Sequence, residues 1–117
     1  MSHVITFAQP DATLNLNDRM HWAPRSRIVA NWRKAAYFAA LLHKVPRLGR
    51  SLVSVTLPVR DRRKRDPGNW APTVKPIVDG ITDAGVWPDD DSRYVVTQEP
   101  SFHVAGDTVT VTITGLP

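Results

Sequence analysis

The sequence predicts an α/β (α+β) fold, in which a small mixed β-sheet carries two main helices in the order β-α-β-α-β-β. Two segments have apolar residues at steps of three and four, which is typical of amphipathic helices. Four short segments are rich in β-branched residues, which is typical of strands. A chain of 117 residues can bury one modest core, so we expect a single domain over residues 1–117.

The first strand and the first helix occupy the N-terminal part of the chain. Residues 3–7 (HVITF) predict a short strand that ends before Pro10. Residues 27–43 place their apolar side chains on one face of a helix and their cations elsewhere. Pro46 and Gly49 are expected to end this helix.

The second strand and the second helix follow. Residues 52–59 (LVSVTLPV) alternate between apolar and small polar side chains, and Pro58 predicts that the end of this strand lies at an edge of the sheet. A helical pattern covers residues 73–84. Pro76 is tolerated if it falls in the first turn, and Gly85 supplies the stop.

Two further strands complete the pattern. They are predicted at residues 93–98 (RYVVTQ) and 107–114 (DTVTVTIT), joined by a loop that holds Pro100 and Gly106. The last strand alternates valine or isoleucine with threonine, which indicates an antiparallel strand with one face in water.

Charge is distributed unevenly along the chain. Lys and Arg number 15 against 11 acidic residues, and most of the cations precede Asp66 whereas most of the acids lie at or beyond it. Such asymmetry favours a polyanionic partner. The chain has no cysteine and its histidines lack zinc-type spacing, which excludes a disulfide framework and a zinc finger. No apolar stretch approaches a membrane span, so we expect a cytoplasmic protein.

The run RDRRKR, residues 60–65, contains five cations in six residues. Arginine binds phosphate through charge and through bidentate hydrogen bonds, so this run is a candidate for contact with a nucleic-acid backbone. The alternative interpretation is a solvated or disordered charged stretch.

Six aspartates lie close together in the sequence after this run. Mg²⁺ prefers oxygen ligands, and it typically takes one or two carboxylates while phosphate fills other positions. A bound cation would therefore allow acids and phosphates to share one site. The alternative interpretation is that the triplet at residues 89–91 is only a turn. The six are Asp66, Asp79, Asp83, Asp89, Asp90 and Asp91.

The chain can bring the early and late aspartates together. A helix over residues 73–84 would separate Asp66 from Asp89 by about 18 Å, at about 1.5 Å per residue. An extended return over residues 85–89 spans about 17 Å, at about 3.3 Å per residue. Convergence of these carboxylates is therefore permitted.

Lys75 and Asp79 are four residues apart, so they share one face of the second helix. One interpretation is a surface ion pair of little energetic weight. The other places Lys75 near a scissile phosphate, where an ammonium steadies developing negative charge.

The ordered set RRKRD, then Asn, then Lys with Asp four residues later, then GxW and DD, resembles the RusA-type Holliday junction resolvases. These are small Mg²⁺-dependent DNA endonucleases, often carried by phages and prophages. LNLNDRMHW also resembles the Asn-rich N-terminal loop of that family. The resemblance implies a homodimer in a bacterial cytoplasm that cuts two strands of a four-way DNA junction symmetrically, with Mg²⁺ or Mn²⁺.

The resemblance also implies roles for particular residues. By match to the motif, the catalytic positions fall on Asp66, Asp90 and Lys75, and the metal positions fall on Asp66 and Asp90 with Asp89 beside it. The residues expected to contact DNA are Arg62, Arg63, Lys64 and Arg65 of the basic run, Asn69, and Arg19 of the N-terminal loop.

The chain departs from the family pattern at one position. The family has two aspartates separated by one residue, whereas this chain reads DPGN from Asp66. Gly68 occupies the second acidic position and offers only a backbone carbonyl. Candidates for the missing oxygen ligand are Asp79, Asp91 and Asn69.

Two other functions stay open from the sequence. One is a DNA-binding protein that keeps the fold and the basic surface but has lost productive metal binding through Gly68. The other is an RNA-binding or assembly protein, which explains the charge but leaves the spacing of Asp66, Lys75 and Asp90 as coincidence.

Overall fold

The computed structural model describes residues 2–19 and 21–117. These residues form a five-stranded mixed sheet and two helices, which confirms the predicted fold class. A short 3₁₀ helix, Pro67–Trp70, precedes the second helix. The other elements are β1 (Ser2–Ala8), α1 (Trp22–Leu42), β2 (Ser51–Val59), α2 (Ala71–Asp83), β3 (Val95–Thr97), β4 (Ser101–Val104) and β5 (Thr108–Gly115).

Strand β2 is the centre of the sheet. On one side it pairs antiparallel with β5, which in turn pairs antiparallel with β1. On its other side it pairs in parallel with β3 through Ser51–Val53 and with β4 through Thr56–Val59. The loop between β3 and β4 therefore lies beside the middle of β2, and this position matters for the site.

Strand β4 replaces part of the loop that the sequence predicts between the last two strands. Its four residues lie between Pro100 and Gly106, and such flanks are typical of a loop. They form a strand because the C-terminal half of β2 offers an edge for pairing, and the hydroxyl groups of Thr56 and Ser101 lie 2.8 Å apart across this pair.

Pro58 places the end of β2 at an edge of the sheet, as predicted, although the strand as a whole is central. Strand β2 is central, with β5 paired along Ser51–Thr56. This pairing stops at Thr56, so among the described residues β4 is the only strand that pairs with β2 at Pro58. A residue without an N–H is tolerated there because no described strand needs that donor.

Both helices begin earlier than predicted. Helix α1 begins at Trp22, and Pro24 fits because N–H groups in the first turn have no intrahelical partner. Helix α2 begins at Ala71, so Pro76 lies inside the helix and the prediction of a first-turn position is wrong. Its ring is buried, and the missing N–H removes one intrahelical bond. Gly85 ends α2 as expected, with φ of 87°.

The two helices pack closely at Gly80. A Cβ atom there would lie 2.1 Å from the backbone oxygen of Arg33, so a larger residue would force the helices apart. Neither helix in the described part of the chain combines the length and apolar character needed to cross a membrane. The inner faces of the helices and alternate strand positions form one core, which includes Ile28, Trp32, Ala36, Ile77, Ile81, Val53, Val55, Val111 and Ile113.

The N-terminal loop is tied to the start of α2. The buried hydroxyl of Thr73 donates to the carbonyl of Leu14 at 2.7 Å and accepts from the N–H of Leu14 at 2.7 Å. Leu14 is itself fully buried. The loop that follows β1 is therefore held against the helix that carries Lys75.

Candidate active site

A cavity of about 370 Å³ lies beside the start of α2. Its wall includes the 3₁₀ helix, α2, the turn before β3 and the loop between β3 and β4. Lys75 and Asp90 line it together with Gly68 and Glu99, and Asp66 directly precedes the lining residues of the 3₁₀ helix. The structure thus brings the three predicted catalytic residues into one region.

Lys75 links two carboxylates from different parts of the chain. Its Nζ donates to Oδ1 of Asp79 at 2.8 Å and to Oδ2 of Asp90 at 2.5 Å. Helical periodicity places Asp79 one turn after Lys75. The return of the chain after α2 brings Asp90 to the same ammonium, as the loop length permits. These three residues are named the lysine cluster.

The lysine cluster shifts the pKa of each of its members. Burial and then the neighbouring Asp90 raise the pKa of Asp79. The neighbouring Asp79, and then the hydrogen bond from Lys75, hold the pKa of Asp90 well below its ordinary value. Asp79 and then Asp90 raise the pKa of Lys75. Lys75 is therefore an ammonium near neutral pH, where it can stabilise negative charge or donate a proton but cannot act as a base.

Arg33 of α1 contacts the same helix face from outside the predicted site. Its Nε and Nη2 donate to the two oxygens of Asp83 at 2.6 and 2.8 Å, and its Nη1 lies 4.0 Å from Oδ2 of Asp79. The hydrogen bonds with Asp83 raise the pKa of Arg33 and lower that of Asp83. Arg33 is missing from the sequence prediction because only the packing of α1 on α2 brings it here.

The three aspartates of the triplet, residues 89–91, have different hydrogen-bond partners. Asp89 is exposed and accepts a hydrogen bond from the N–H of Asp90 at 2.7 Å. Asp91 accepts from Nε and Nη2 of Arg93 at 3.0 and 2.8 Å. Only Asp90 reaches Lys75. The turn interpretation and the site interpretation of the triplet are therefore compatible.

The carboxylates of Asp66 and Glu99 both lie near Gly68 of the 3₁₀ helix. Oδ1 of Asp66 accepts from the N–H of Gly68 at 3.3 Å, which caps this short helix. A Cβ atom on Gly68 would lie 3.3 Å from Oε1 of Glu99 and 3.7 Å from Oδ1 of Asp66. These two exposed carboxylates are named the open pair. Sequence reasoning missed Glu99, because an isolated glutamate in a loop carries no local signal.

The predicted metal ligands do not form a closed cage. Within residues 2–19 and 21–117, no three His, Asp or Glu side chains have the spacing to hold a metal ion. Asp90 is bound by Lys75, whereas Asp66 lies beside Gly68. Mg²⁺ needs only one or two carboxylates when water and phosphate complete its shell. The carboxylate oxygens around the cavity are the donor type that such a cation takes.

The basic run lies between β2 and the 3₁₀ helix. Arg62, Arg63 and Lys64 are exposed. Arg65 keeps only 15% of its side chain exposed, and its Nη1 donates to the backbone oxygens of Asp61 and Arg63 at 3.0 and 2.7 Å. Arg65 therefore shapes the loop, while the other three present their charge to solvent.

Two aromatic rings, those of Phe102 and Trp70, pack next to the basic run. The guanidinium of Arg65 lies 5.8 Å from the centre of the Phe102 ring, and Phe102 packs edge-on against Trp70 at 5.2 Å. A second cavity, of about 640 Å³, opens here and is lined in part by Arg60, Arg63 and Arg65. Phe102 belongs to β4, so its support of the loop could not be predicted without that strand.

Two predicted DNA contacts adjoin this region. The N–H of Asn69 donates to the carbonyl of Asp66 at 3.0 Å, and its own carbonyl accepts from the N–H of Leu16 at 2.8 Å. Arg19 is exposed in the same N-terminal loop. The backbone of Asn69 therefore connects this loop to the 3₁₀ helix.

Comparison with known proteins finds no family model that matches the chain and no curated protein that matches it significantly.

Proposed function

We propose that this chain is a Mg²⁺-dependent, structure-specific DNA endonuclease of the RusA type. It resolves Holliday junctions or other branched DNA by paired phosphodiester cleavage. The observation that carries the proposal is the cavity where Lys75 and Asp90 meet close to Asp66, beside a loop of exposed cations. The ordered motif described above supports it. The proposal includes a single domain that acts as a homodimer in the cytoplasm of a bacterial host, encoded by a phage or prophage.

Asp66 and Asp90, with Asp89 beside it, are the residues that would hold the cation. Carboxylate oxygens are the ligands that both Mg²⁺ and Mn²⁺ prefer. When bound, the cation supplies activation of water and stabilisation of charge on the scissile phosphate. The exposed side chains of Asp66 and Asp89 are accessible to a hydrated ion.

In this proposal the cations have two roles, which are binding of the flanking phosphates and stabilisation of charge on the attacked phosphate. Arg62, Arg63 and Lys64 bind the phosphates that flank the scissile one, because they are exposed and adjoin the 3₁₀ helix. Lys75, protonated because of its raised pKa, stabilises charge on the attacked phosphate or donates a proton to the leaving oxygen. Asp90 positions the ammonium of Lys75 in the cavity wall.

One observation favours a second candidate, a DNA-binding protein of this fold without efficient cleavage. Gly68 brings no carboxylate to the 3₁₀ helix, and Lys75 already neutralises Asp90. Both features weaken the attraction for a divalent cation. The basic loop and its neighbouring cavity would still bind phosphates.

A cleavage assay on a synthetic four-way junction tests the proposal. Each strand is labelled in turn and incubated with the protein in Mg²⁺ or in EDTA, with a linear duplex of matching sequence as the control. We expect paired symmetric nicks in the junction in Mg²⁺ alone, and none in the duplex. A retarded but uncut junction across a range of Mg²⁺ and Mn²⁺ concentrations supports the second candidate. Absence of both binding and cutting contradicts both.

A further inference from the structure

Within the described part of the chain, one face of the sheet is not covered by either helix. The helices pack against the other face, where Ile5, Val53 and Val111 are fully buried or nearly so. Side chains alternate between the two faces of a strand, so the strand registers identify the residues on the uncovered side. These residues are named the outer face, and they are Ser2, Val4, Thr6 and Ala8 of β1, Thr108, Thr110, Thr112 and Thr114 of β5, Leu52, Ser54 and Thr56 of β2, Val96 of β3, and Ser101 and His103 of β4.

The outer face carries no Lys, Arg, Asp or Glu, although these residue types make up 22% of the chain. Its side chains are all exposed or half-buried. Charged residues are mostly found at protein surfaces, so a whole sheet face without them is a departure from the ordinary pattern. Depletion of charge is the compositional mark of the centre of a protein–protein interface.

Several polar groups of the outer face already bond to one another. The hydroxyl oxygens of Ser2 and Thr114 lie 3.1 Å apart, and those of Thr56 and Ser101 lie 2.8 Å apart. The hydroxyl of Ser54 also donates within this face. Removing a hydroxyl group from water costs less free energy when its hydrogen bond is kept. The outer face can therefore be covered at a lower cost than a face of charged groups.

We propose that the outer face packs against the outer face of a second copy of this chain, sheet on sheet, about a two-fold axis. The distribution of charge favours a copy as the partner. The chain has a net charge of +4 with its cations clustered, so two copies repel each other where their cationic surfaces meet. A two-fold interface uses the same patch on both copies. The outer face does not repel itself, because it has no charge.

The size of the outer face is sufficient for such a pair. Four neighbouring strand positions at about 4.8 Å, with about 3.3 Å per residue along each strand, give a face of about 20 by 25 Å. The pair would cover about 1,000 Å² in total, which is near the lower bound for a specific interface. We therefore expect a weak dimer. The inference names the interface of the homodimer in the proposed function, but the sheet carries it and the site residues do not.

Sedimentation velocity over a range of protein concentrations tests the inference without reference to activity. Thr112 lies at the centre of the outer face, between Val4 of β1 and Ser54 of β2. Thr112→Arg places like charges against each other across the axis, and we expect the dissociation constant to rise by about 100-fold or more. Ser26→Arg adds the same charge at an exposed position on α1 and should leave the dimer unchanged.

A mixture of two variants gives a second test. Thr112→Glu alone should be monomeric for the same reason as Thr112→Arg. An equal mixture of the two should form dimers, because opposite charges then meet across the axis. This recovery also shows that neither substitution acts by unfolding the chain, and circular dichroism checks the fold of each variant. No recovery, with both variants folded, would contradict an interface centred on Thr112.

The remaining outcomes are equally decisive. An unmodified protein that stays monomeric at every concentration overturns the inference, as does a dimer that persists in Thr112→Arg. Loss of the dimer only in Leu42→Arg would place the interface at the end of α1, where Leu42 is 79% exposed. A dimer of the expected kind without junction cutting supports the interface and counts against the nuclease. A monomer that cuts junctions overturns the interface and leaves the cleavage chemistry intact.

Discussion

The lysine cluster and the open pair lie close to the same cavity, but they differ in how far their negative charge is compensated by a cation. In the lysine cluster, Asp79 and Asp90 share one ammonium, which compensates part of their charge. In the open pair, Asp66 and Glu99 approach the same point beside Gly68, and no ion pair with either is present among the described residues.

This difference separates acids whose charge is compensated in the folded state from acids whose charge is not. The neighbours Asp79 and then Lys75 depress the pKa of Asp90, so the ionised Asp90 contributes to stability. Asp66 and Glu99 form no ion pair among the described residues, so they gain no stabilisation of this kind. Substitutions of Lys75 or Asp90 should therefore affect stability, whereas substitution of Asp66, a proposed metal ligand, should affect cation binding and cutting.

The largest effect is expected at Asp66. Asp66→Asn should reduce junction cutting in Mg²⁺ by about 100-fold or more, because metal stabilisation of charge is worth several kcal/mol. The melting temperature should stay the same, since asparagine can still accept the hydrogen bond from Gly68 that caps the 3₁₀ helix. Single-turnover cutting and thermal unfolding measure the two quantities.

Two controls accompany the cutting assay of Asp66→Asn. Asp107→Asn should cut at the normal rate, and Asp66→Asn should still bind the junction in EDTA. Near-normal cutting by Asp66→Asn would contradict a metal role for this residue.

A smaller effect is expected from the basic run. Replacement of Arg62, Arg63 and Lys64 by glutamine should weaken junction binding and reduce the slope of log affinity against log salt by about 0.9 for each phosphate that the protein no longer neutralises. Gel retardation at several salt concentrations measures this slope. The matched control replaces three other exposed cations, Lys34, Lys44 and Arg47, by glutamine. Equal slopes in the two triple variants would show that the basic run has no special role in binding phosphate.

The lysine cluster should affect stability more than cation binding. Lys75→Met should lower the free energy of unfolding by about 1 kcal/mol or less at neutral pH, because solvent screens a side chain that is 65% exposed. Urea unfolding measures the difference. Lys75→Arg, which keeps a cation between the two carboxylates, should recover part of it. A full loss in Lys75→Arg would indicate a cause other than charge.

The pH dependence of this effect follows from the pKa shifts of the two carboxylates. The pKa of Asp90 is depressed, so its contribution to stability is full above its ordinary pKa of 3.8 and is lost as the pH falls through the lower folded value. The pKa of Asp79 is raised, so its ionisation opposes folding as the pH rises above 3.8. The cost of Lys75→Met should therefore shrink as the pH falls below 3.8. A cost that stays constant at acid pH would contradict the ion-pair account.

The smallest effect is expected at the pair between Arg33 and Asp83. Asp83→Asn should lower the free energy of unfolding by about 0.5 kcal/mol, because both side chains are substantially exposed. The loss should disappear at high salt. Mn²⁺ affinity should not change, and a weaker affinity would place Asp83 in the cation site.

The fold class and the contact between Lys75 and Asp79 were predictable from the sequence. Periodicities of two and of three to four identify the strands and helices. A spacing of four residues on a helix predicts the contact between Lys75 and Asp79, whereas the return after α2 was expected to bring the late aspartates towards Asp66, and the contact of Asp90 with Lys75 was not predicted. These features depend on residues that are close in sequence or joined by a short segment.

The remaining features depend on contacts between distant segments. Strand β4 exists because β2 offers it an edge, and its own four residues do not indicate it. Glu99 reaches Gly68 only because β3 and β4 pair side by side with β2. Arg33 reaches Asp83 because the absence of a side chain at Gly80 lets the helices approach. None of these pairings has a local pattern in the sequence.

The position of the bound cation can be measured directly by iron-dependent cleavage of the polypeptide. Fe²⁺ replaces Mg²⁺, and peroxide with ascorbate generates radicals that cut the backbone near the ion. We expect fragments that end near Asp66 and near Asp89 and Asp90, with loss of both sets in Asp66→Asn and protection by excess Mg²⁺. Cuts confined to other segments, or no cuts at all, would contradict a cation held by Asp66 and Asp90.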